Sequence, residues 1–198
     1  MTADALILRG QGLDLAGVVR VAREGARVQL SPEARARVRA ARQVVERLSK
    51  EDRPIYGVTT GLGASKDVRL AAEDLPDFQR RVLLSRSVAV GPRIGTDVVR
   101  AMLVARANAM ATGGSGITPE ILDTLVAMLN AGVHPLVPSV GSIGAADLPQ
   151  LAHLSLPLIG LGEAEYRGER LPGDEALRRA GLHPVALGPK DGIVLVSS

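Results

Sequence analysis

The chain has 198 residues, of which 46% are hydrophobic and 23% charged, a balance that excludes a disordered chain. A net charge of +3, with only two tyrosines and one phenylalanine, argues against a nucleic-acid surface of clustered cations and stacking aromatics. Cysteine is absent, which excludes disulfides and thiolate metal sites, and no apolar run approaches the roughly 18 residues of a membrane span.

The first part of the chain has the pattern of a small α/β region. Its opening stretch, MTADALILRGQG, lacks the basic and apolar segments of a secretory signal, so a cytoplasmic location is predicted. ALILRG and ARVQL read as short strands on either side of a helix, LDLAGVVRVAREG, that ends at Gly25. A second helix is predicted from Pro32, because Ser31 is a favoured N-cap and proline is favoured at the first helical position.

Helices dominate the rest of the sequence. After a glycine-rich break at 55–65, helical periodicity recurs at about 74–87, 97–112, 119–130 and 147–159, the last expected to kink or end at Pro157. AEYRGERL is predicted to form a hairpin around Gly168, followed by a short helix, DEALRRAG, and an apolar run, GIVLVSS. The predicted fold class is mainly α, with a small α/β region at 1–92 and a helical region at 93–198 that form one continuous fold.

Two sets of polar residues are assigned structural roles. Arg35, Arg37, Arg39 and Arg42 lie on a helix whose apolar positions are Val38, Ala41, Val45 and Leu48, and a solvated helix face is predicted for them. The three histidines lack any metal-ligand spacing, so structural roles are favoured over metal binding.

The segment YGVTTGLGASK carries the first candidate for chemistry. It lacks the G-K-[ST] ending of a phosphate-binding loop, and a nucleotide site is rejected. Tyr56 stands at the base of this glycine-rich loop, where its phenol could reach a substrate. General-base work by a phenol at neutral pH requires positive charge nearby.

A second candidate is GSIGAADLPQLAHL at residues 141–154. Asp147 has the side chain of an N-cap, and leucines follow it at helical spacing. The N–H groups behind such a cap attract negative charge, so the segment predicts either a plain helix cap or an anion or oxyanion site.

Four stretches together resemble the N-terminal part of the histidine/phenylalanine ammonia-lyase family, in order and in spacing. They cover nearly the whole chain: YGVTTGLG, FQRRVLLSRSVAVG, RAMLVARANAMATGGSGITPEILDTLVAMLNAGVHPLVPSVGSIGAADLPQLAHLSLPLIGLGEA and LGPKDGIVLVSS. The resemblance implies a mainly helical, histidase-like fold that is normally tetrameric, with active sites lined by several subunits. It also implies that a C-terminal helical bundle is supplied by something other than these residues.

The resemblance draws attention to one local departure. In the family, an Ala-Ser-Gly triad within G-S-V-G-A-S-G-D-L cyclises into a methylidene-imidazolone (MIO), an electrophile that captures the substrate amine. Here Ala146 alone stands where Ser-Gly is expected, before Asp147 and Leu148 resume the pattern. Because the methylidene comes from dehydration of that serine, Ala145-Ala146-Asp147 cannot form it, and Ser142 matches a different family position. No cofactor and no metal is therefore predicted.

Other residues of the chain either match the family's functional positions or differ from them. Tyr56 matches the family's loop tyrosine, which removes the β-proton, and is the predicted catalytic residue. Thr59 and Ser197 stand where the family has asparagines, and Arg86 stands where histidine lyases have a pocket histidine. Arg86 would suit an anionic substrate group, or equally an ion pair between subunits. The predicted substrate-binding residues are Arg86, Gly63, Ala145, Ala146, Asp147 and Ser197.

Two functions are compatible with this pattern. The first is an MIO-less subunit of a split, hetero-oligomeric enzyme, completed by a separate chain resembling the family's C-terminal bundle. Its Tyr56 would carry out an elimination, isomerisation or addition/cyclisation on an amino-acid-like or acyl substrate. The second is a non-catalytic scaffold or regulatory partner of a lyase homologue. A plain ammonia-lyase is disfavoured by the missing serine.

Overall fold

The computed structural model describes residues 5–142 and 147–197. Its N-terminal part contains β1 (Leu6–Leu8), α1 (Leu15–Arg23), β2 (Val28–Leu30) and α2 (Pro32–Leu48). β1 and β2 pair in parallel, with α1 as the crossover. The predicted cap at Ser31 is confirmed, because its Oγ accepts a hydrogen bond of 3.1 Å from the Ala34 N–H.

Helices form the centre of the molecule. α3 (Leu75–Arg86), α4 (Thr96–Met110), α5 (Pro119–Ala131) and α6 (Leu148–Ser155) correspond to the four predicted helices. α5 ends at Gly132, whose φ of +78° supplies the left-handed C-cap. α6 gives way at Leu156 to a 3₁₀ turn that contains Pro157, which confirms the predicted end of the helix.

Short strands complete the structure. β3 (Val90–Arg93) pairs antiparallel with β5 (Pro138–Val140), and β4 (Val133–Pro135) joins β6 (Glu163–Tyr166) and β7 (Glu169–Pro172) in a three-stranded antiparallel sheet. The predicted hairpin between β6 and β7 turns at Gly168, with φ of +80°. α7 (Gly173–Arg179) follows, and the apolar run near the end forms α8 (Asp191–Val196).

A single hydrophobic core extends from Leu8 in β1 to Val196 in α8. α4 lies against α1 and α5, while α3, α6 and α8 pack on one another. The predicted division of the chain at residues 92 and 93 remains a prediction. Within the part of the chain that the structure describes, no helix is long and apolar enough to cross a membrane.

Arginine side chains donate hydrogen bonds to the main-chain carbonyls near the C-terminal ends of several helices. Arg37 donates to the carbonyls of Ala111 and Thr112 beyond α4, both at 3.2 Å. Arg100 donates to the Val21 carbonyl in α1 at 2.8 Å and to the Leu129 carbonyl in α5 at 3.1 Å. The last carbonyls of a helix lack intrahelical donors and carry partial negative charge, so guanidinium groups stabilise these ends.

The prediction of a solvated arginine face on α2 is wrong for Arg42. Its side chain is 8% exposed and forms an ion pair of 3.2 Å with the fully buried Asp191. It also donates to the Pro189 carbonyl at 3.0 Å. The helical period predicted that Arg42 lies on the surface with the other three arginines. Its side chain is buried instead, because its ion-pair partner Asp191, 149 residues away in sequence, lies in the interior.

Lowering the pH is expected to weaken the fold through His134. Burial, together with the Arg100 guanidinium 3.0 Å from its Nε2, lowers the pKa of His134 from 6.5 to about 4. The His134 imidazole therefore binds a proton below about pH 6.5 in the unfolded chain, but only below about pH 4 in the folded chain. The stabilisation is present above that window and is lost as pH falls through it, by up to about 1.4 kcal/mol per pH unit.

Urea unfolding at intervals through this window measures the slope. His134→Gln removes the titrating group and should flatten the dependence of the unfolding free energy on pH. An identical slope in the variant and the natural sequence would show that other groups cause the loss.

Candidate active site

Tyr56 lies in the loop between α2 and α3, and its side chain is 61% exposed. Its hydroxyl accepts a hydrogen bond of 3.4 Å from the N–H of Gly63, which begins a 3₁₀ turn in the same loop. Thr59, predicted to stand where the resembling family has an asparagine, is buried and holds the base of the loop. Its Oγ1 accepts from the Ile55 N–H and donates to the Arg53 carbonyl, both at 2.8 Å. The loop is thus braced from within while the phenol faces outward.

The segment between α2 and α3 that carries Tyr56, called the Tyr56 loop below, packs against α8 at Gly57. A Cβ at this position would lie 2.1 Å from Cδ1 of Ile193 and 3.2 Å from Cδ2 of Leu62. Gly57 also has a φ of +68°, which L side chains rarely adopt. The backbone conformation therefore favours glycine here, and a Cβ would fit only if the Ile193 side chain of α8 moved.

Gly57→Ala is expected to lower the free energy of unfolding by more than the backbone strain of about 1–2 kcal/mol, because Ile193 must also move. Gly63→Ala is the matched control, since Gly63 has a φ of +56° but no atom within 4 Å of a Cβ. The free energies of unfolding in urea should differ between the two variants. Equal losses would mean that the contact with Ile193 does not hold the loop.

Arg86 is the last residue of α3, where its Nη1 donates to the Ser85 hydroxyl at 2.8 Å and approaches the Val82 carbonyl at 3.5 Å. It lines a cavity of about 250 Å³. Leu62 and Ser65, from the Tyr56 loop, line the same cavity, and Phe78 lies on the α3 side. The structure therefore brings the Tyr56 loop and Arg86 to one concave site with an apolar floor and a cationic rim.

Asp147 occupies the N-cap position of α6, as predicted, but its side chain does not cap the helix. It is exposed and accepts no capping hydrogen bond, while its main-chain carbonyl accepts from the Leu151 N–H at 3.0 Å. Pro149 in the first turn has no N–H, which leaves fewer donors for a side-chain cap. The two other predicted residues of this segment, Ala145 and Ala146, lie outside the described residues.

Ser197 follows α8 as its C-cap, and its hydroxyl donates to the Ile193 carbonyl at 2.7 Å. Because Ile193 also carries the Gly57 contact, Ser197 and the Tyr56 loop are connected through one residue of α8. Ser197 lines a second cavity, of about 270 Å³, between α4 and α8. Arg86, Ser197 and the Tyr56 loop thus lie on α3, α8 and the segment between α2 and α3, but Arg86 and Ser197 line separate cavities, and Asp147 lies apart from both on α6.

No local pattern in the sequence predicted the buried polar groups that orient these elements. Asp191 accepts hydrogen bonds from the Thr118 hydroxyl at 2.6 Å and the Gly188 N–H at 2.7 Å. Gln79 of α3 accepts from the Gly192 N–H at 2.9 Å, which joins α3 to the start of α8. These contacts connect residues distant in sequence, so only an alignment of related sequences could have pointed to them.

His153 in α6 is a further polar residue near the site. Burial lowers its pKa, and a hydrogen bond to the Ser87 backbone opposes that effect. Its Nε2 is buried without a hydrogen-bond partner among the described residues. A neutral imidazole is therefore held against the segment that directly follows Arg86. Residues 5–142 and 147–197 contain no group of three side chains that could hold a metal ion.

The profile of the aromatic amino acid lyases matches residues 13–198. The chain belongs to the aromatic amino acid lyase family. It is 54% identical to a histidine ammonia-lyase of Symbiobacterium thermophilum over 95% of this chain and 37% of that protein. A histidine ammonia-lyase of Gloeobacter violaceus is 48% identical over all of this chain and 38% of its own length.

Solved lyase-family structures share the fold. An ergothioneine-degrading ergothionase from Treponema denticola superposes with a TM-score of 0.95 at 38% identity, covering 98% of this chain and 39% of that one. A tyrosine aminomutase from Streptomyces globisporus superposes with a TM-score of 0.92 at 34% identity, covering 98% and 36%. The predicted family and the mainly helical, histidase-like fold are confirmed. The chain spans less than two-fifths of the length of these relatives, their N-terminal portion.

Proposed function

We propose that this chain is one part of a lyase-like enzyme that transfers protons with Tyr56 and without the MIO group. The observation that carries the proposal is the contrast between two positions: the family's loop tyrosine is present, exposed and hydrogen-bonded to Gly63, whereas Ala146 occupies the place of the triad serine. Ala145-Ala146-Asp147 contains no hydroxyl to eliminate as water, so the MIO group does not fit these residues.

The chemistry available to the remaining groups is acid–base chemistry. Tyr56, deprotonated, would remove a proton from a carbon beside an acidifying group, and an elimination, isomerisation or addition/cyclisation would follow. Charge that develops on a carboxylate or oxyanion would be stabilised by the N-terminal end of α6, whose first N–H groups have no intrahelical partners.

The cavity beside Arg86 supports an anionic, amino-acid-like or acyl substrate. Leu62, Phe78 and Val82 offer apolar surface, and Arg86 offers a guanidinium that can pair with a carboxylate or another oxyanion. Ergothioneine, histidine, tyrosine and phenylalanine, taken from the names of the relatives and neighbours, form a first panel of substrates to test.

A separate chain is proposed to supply what these residues lack. Relatives are much longer, and this chain covers only 37–39% of them. The proposed assembly is a hetero-oligomer, tetramer-like, with no nucleic acid or membrane involved and a cytoplasmic location. Loss of the triad serine and of the asparagine at Ser197 equally favours a second candidate, a non-catalytic scaffold or regulatory partner of a lyase homologue.

Co-expression tests the subunit proposal. The probe is the part of the Symbiobacterium thermophilum histidine ammonia-lyase that lies beyond the matched region, tagged and expressed with this chain. We expect the two to co-purify as a complex, and the complex to exchange a carbon-bound proton of at least one panel compound with solvent. A chain that remains alone would refute the split enzyme, and a complex that exchanges no proton would favour the scaffold.

A further inference from the structure

A groove between α4 and α8 has the composition of a protein-docking site. Its volume is about 270 Å³, and apolar side chains from both helices form its walls: Ala109, Met110, Ile193 and Val194. Arg106 and Lys190 stand beside them as the two charged residues of the lining. Apolar surface bordered by charge is the usual composition of a specific interface.

The two cations of the groove have no anionic partner within the part of the chain that the structure describes. The Arg106 side chain donates to the Val194 carbonyl at 2.7 Å, a neutral acceptor, and forms no ion pair there. The Arg106 side chain is partly removed from water, and this burial lowers the pKa of Arg106. A half-buried guanidinium without a counter-ion is costly, and a carboxylate supplied from outside would relieve that cost.

Lys190 is fixed in place by its backbone. It has a φ of +72° and lies in the turn that the buried Asp191 ties to Thr118 and Arg42. The backbone of Lys190 is therefore held in place at the edge of the groove, and the long side chain can extend its ammonium group toward an anion bound there.

We propose that this groove is where the chain completing the fold docks, with an apolar side chain between Met110 and Ile193 and a carboxylate against Arg106 and Lys190. This inference rests on the proposed split enzyme. α8 forms one wall and is the last helix described, so the region that follows it in the relatives begins beside the groove. In these relatives about three-fifths of the length lies outside the matched region.

The test uses the same tagged segment of the Symbiobacterium thermophilum enzyme as the probe, with two groove variants. Lys190→Glu reverses the charge at the mouth, and Ala109→Arg fills the groove from an exposed position on α4. Lys50→Glu and Ala40→Arg are the matched controls, because both positions are exposed on or just beyond α2 and neither lines the groove. Circular dichroism confirms that each variant is folded before its dissociation constant is measured.

Each groove variant is expected to bind the probe at least about tenfold more weakly than the natural sequence, while the controls bind equally well. Equal binding by all variants would overturn the groove and leave the split enzyme standing. Failure of the natural sequence to bind would refute both. Self-association that Ala109→Arg abolishes would identify a second copy of this chain as the occupant, and would also overturn the proposal.

Discussion

Asp191→Ala is expected to lower the free energy of unfolding by about 3–5 kcal/mol, the typical cost of breaking a buried ion pair. The carboxylate is fully buried and accepts from the Thr118 N–H and hydroxyl at 2.9 and 2.6 Å, from the Gly188 N–H at 2.7 Å, and from Arg42 at 3.2 Å. Alanine leaves the Thr118 and Gly188 donors unpaired and removes the buried anion from Arg42, which keeps only the exposed Glu46 carboxylate at 3.1 Å and backbone carbonyls as partners. Each of these losses acts in the same direction.

The effect should extend beyond stability to the position of α8. Asp191 is the first residue of that helix, and the Arg42 and Thr118 bonds fix it to α2 and to the start of α5. The same helix positions Ser197 and also Ile193, against which Gly57 of the Tyr56 loop packs. We therefore expect the variant to weaken binding of the completing chain as well.

Urea unfolding followed by circular dichroism measures the change. Asp52→Ala is the control, because Asp52 forms an ion pair with Arg69 while its own side chain is 91% exposed. Exposed pairs contribute little, and the control should be nearly as stable as the natural sequence. A loss of under about 1 kcal/mol for Asp191→Ala would show that water or local rearrangement replaces the network.

Tyr56→Phe is expected to slow proton exchange at the substrate carbon by about 100- to 10,000-fold in the completed complex, the range that a general base contributes. The substitution removes only the hydroxyl. That oxygen accepts one weak hydrogen bond, 3.4 Å from the Gly63 N–H, and the side chain is 61% exposed. Folding and assembly should therefore be unaffected, so that a loss of exchange reports on chemistry.

Deuterium incorporation from D₂O, followed by NMR, measures the exchange without requiring a known product. Tyr166→Phe provides the control, because Tyr166 is the other tyrosine and is buried in β6, away from the loop. Exchange that persists in Tyr56→Phe at the natural rate would exclude the tyrosine as base. Equal loss in both variants would point to a structural cause.

Local signals in the sequence predicted the elements well. The Ser31 cap, the break at Pro157 and the turn at Gly168 each depend on residues a few positions apart, and each is found in the structure. Helical period alone located α3, α4 and α5 to within one or two residues.

Contacts between distant residues were not predictable in this way. The antiparallel pairing of β3 with β5 places Val90 opposite Val140, and both valines are largely exposed, so neither strand has an alternating buried pattern. Arg42 was wrongly predicted to be exposed for the same reason, since no residue near it in the sequence indicates an ion pair with Asp191. Tertiary partners decide such positions.

The candidate site was located through resemblance, and the structure then supplied its geometry. Tyr56, Arg86 and Ser197 carry no local signal that joins them. Their relation appears only when α3 and α8 pack and Gly57 lies against Ile193. The shared cavity of Arg86 and the Tyr56 loop is likewise a property of the fold.

The intact mass of this chain, taken from a complex that exchanges substrate protons, tests the central claim most directly. The proposal predicts the mass calculated from the unmodified sequence, because Ala146 offers no hydroxyl for cyclisation and dehydration. The full-length Symbiobacterium thermophilum enzyme, measured alongside, serves as the family reference. A mass lower by one or two water molecules in this chain would show that an electrophile forms here after all, and would contradict chemistry by Tyr56 without it.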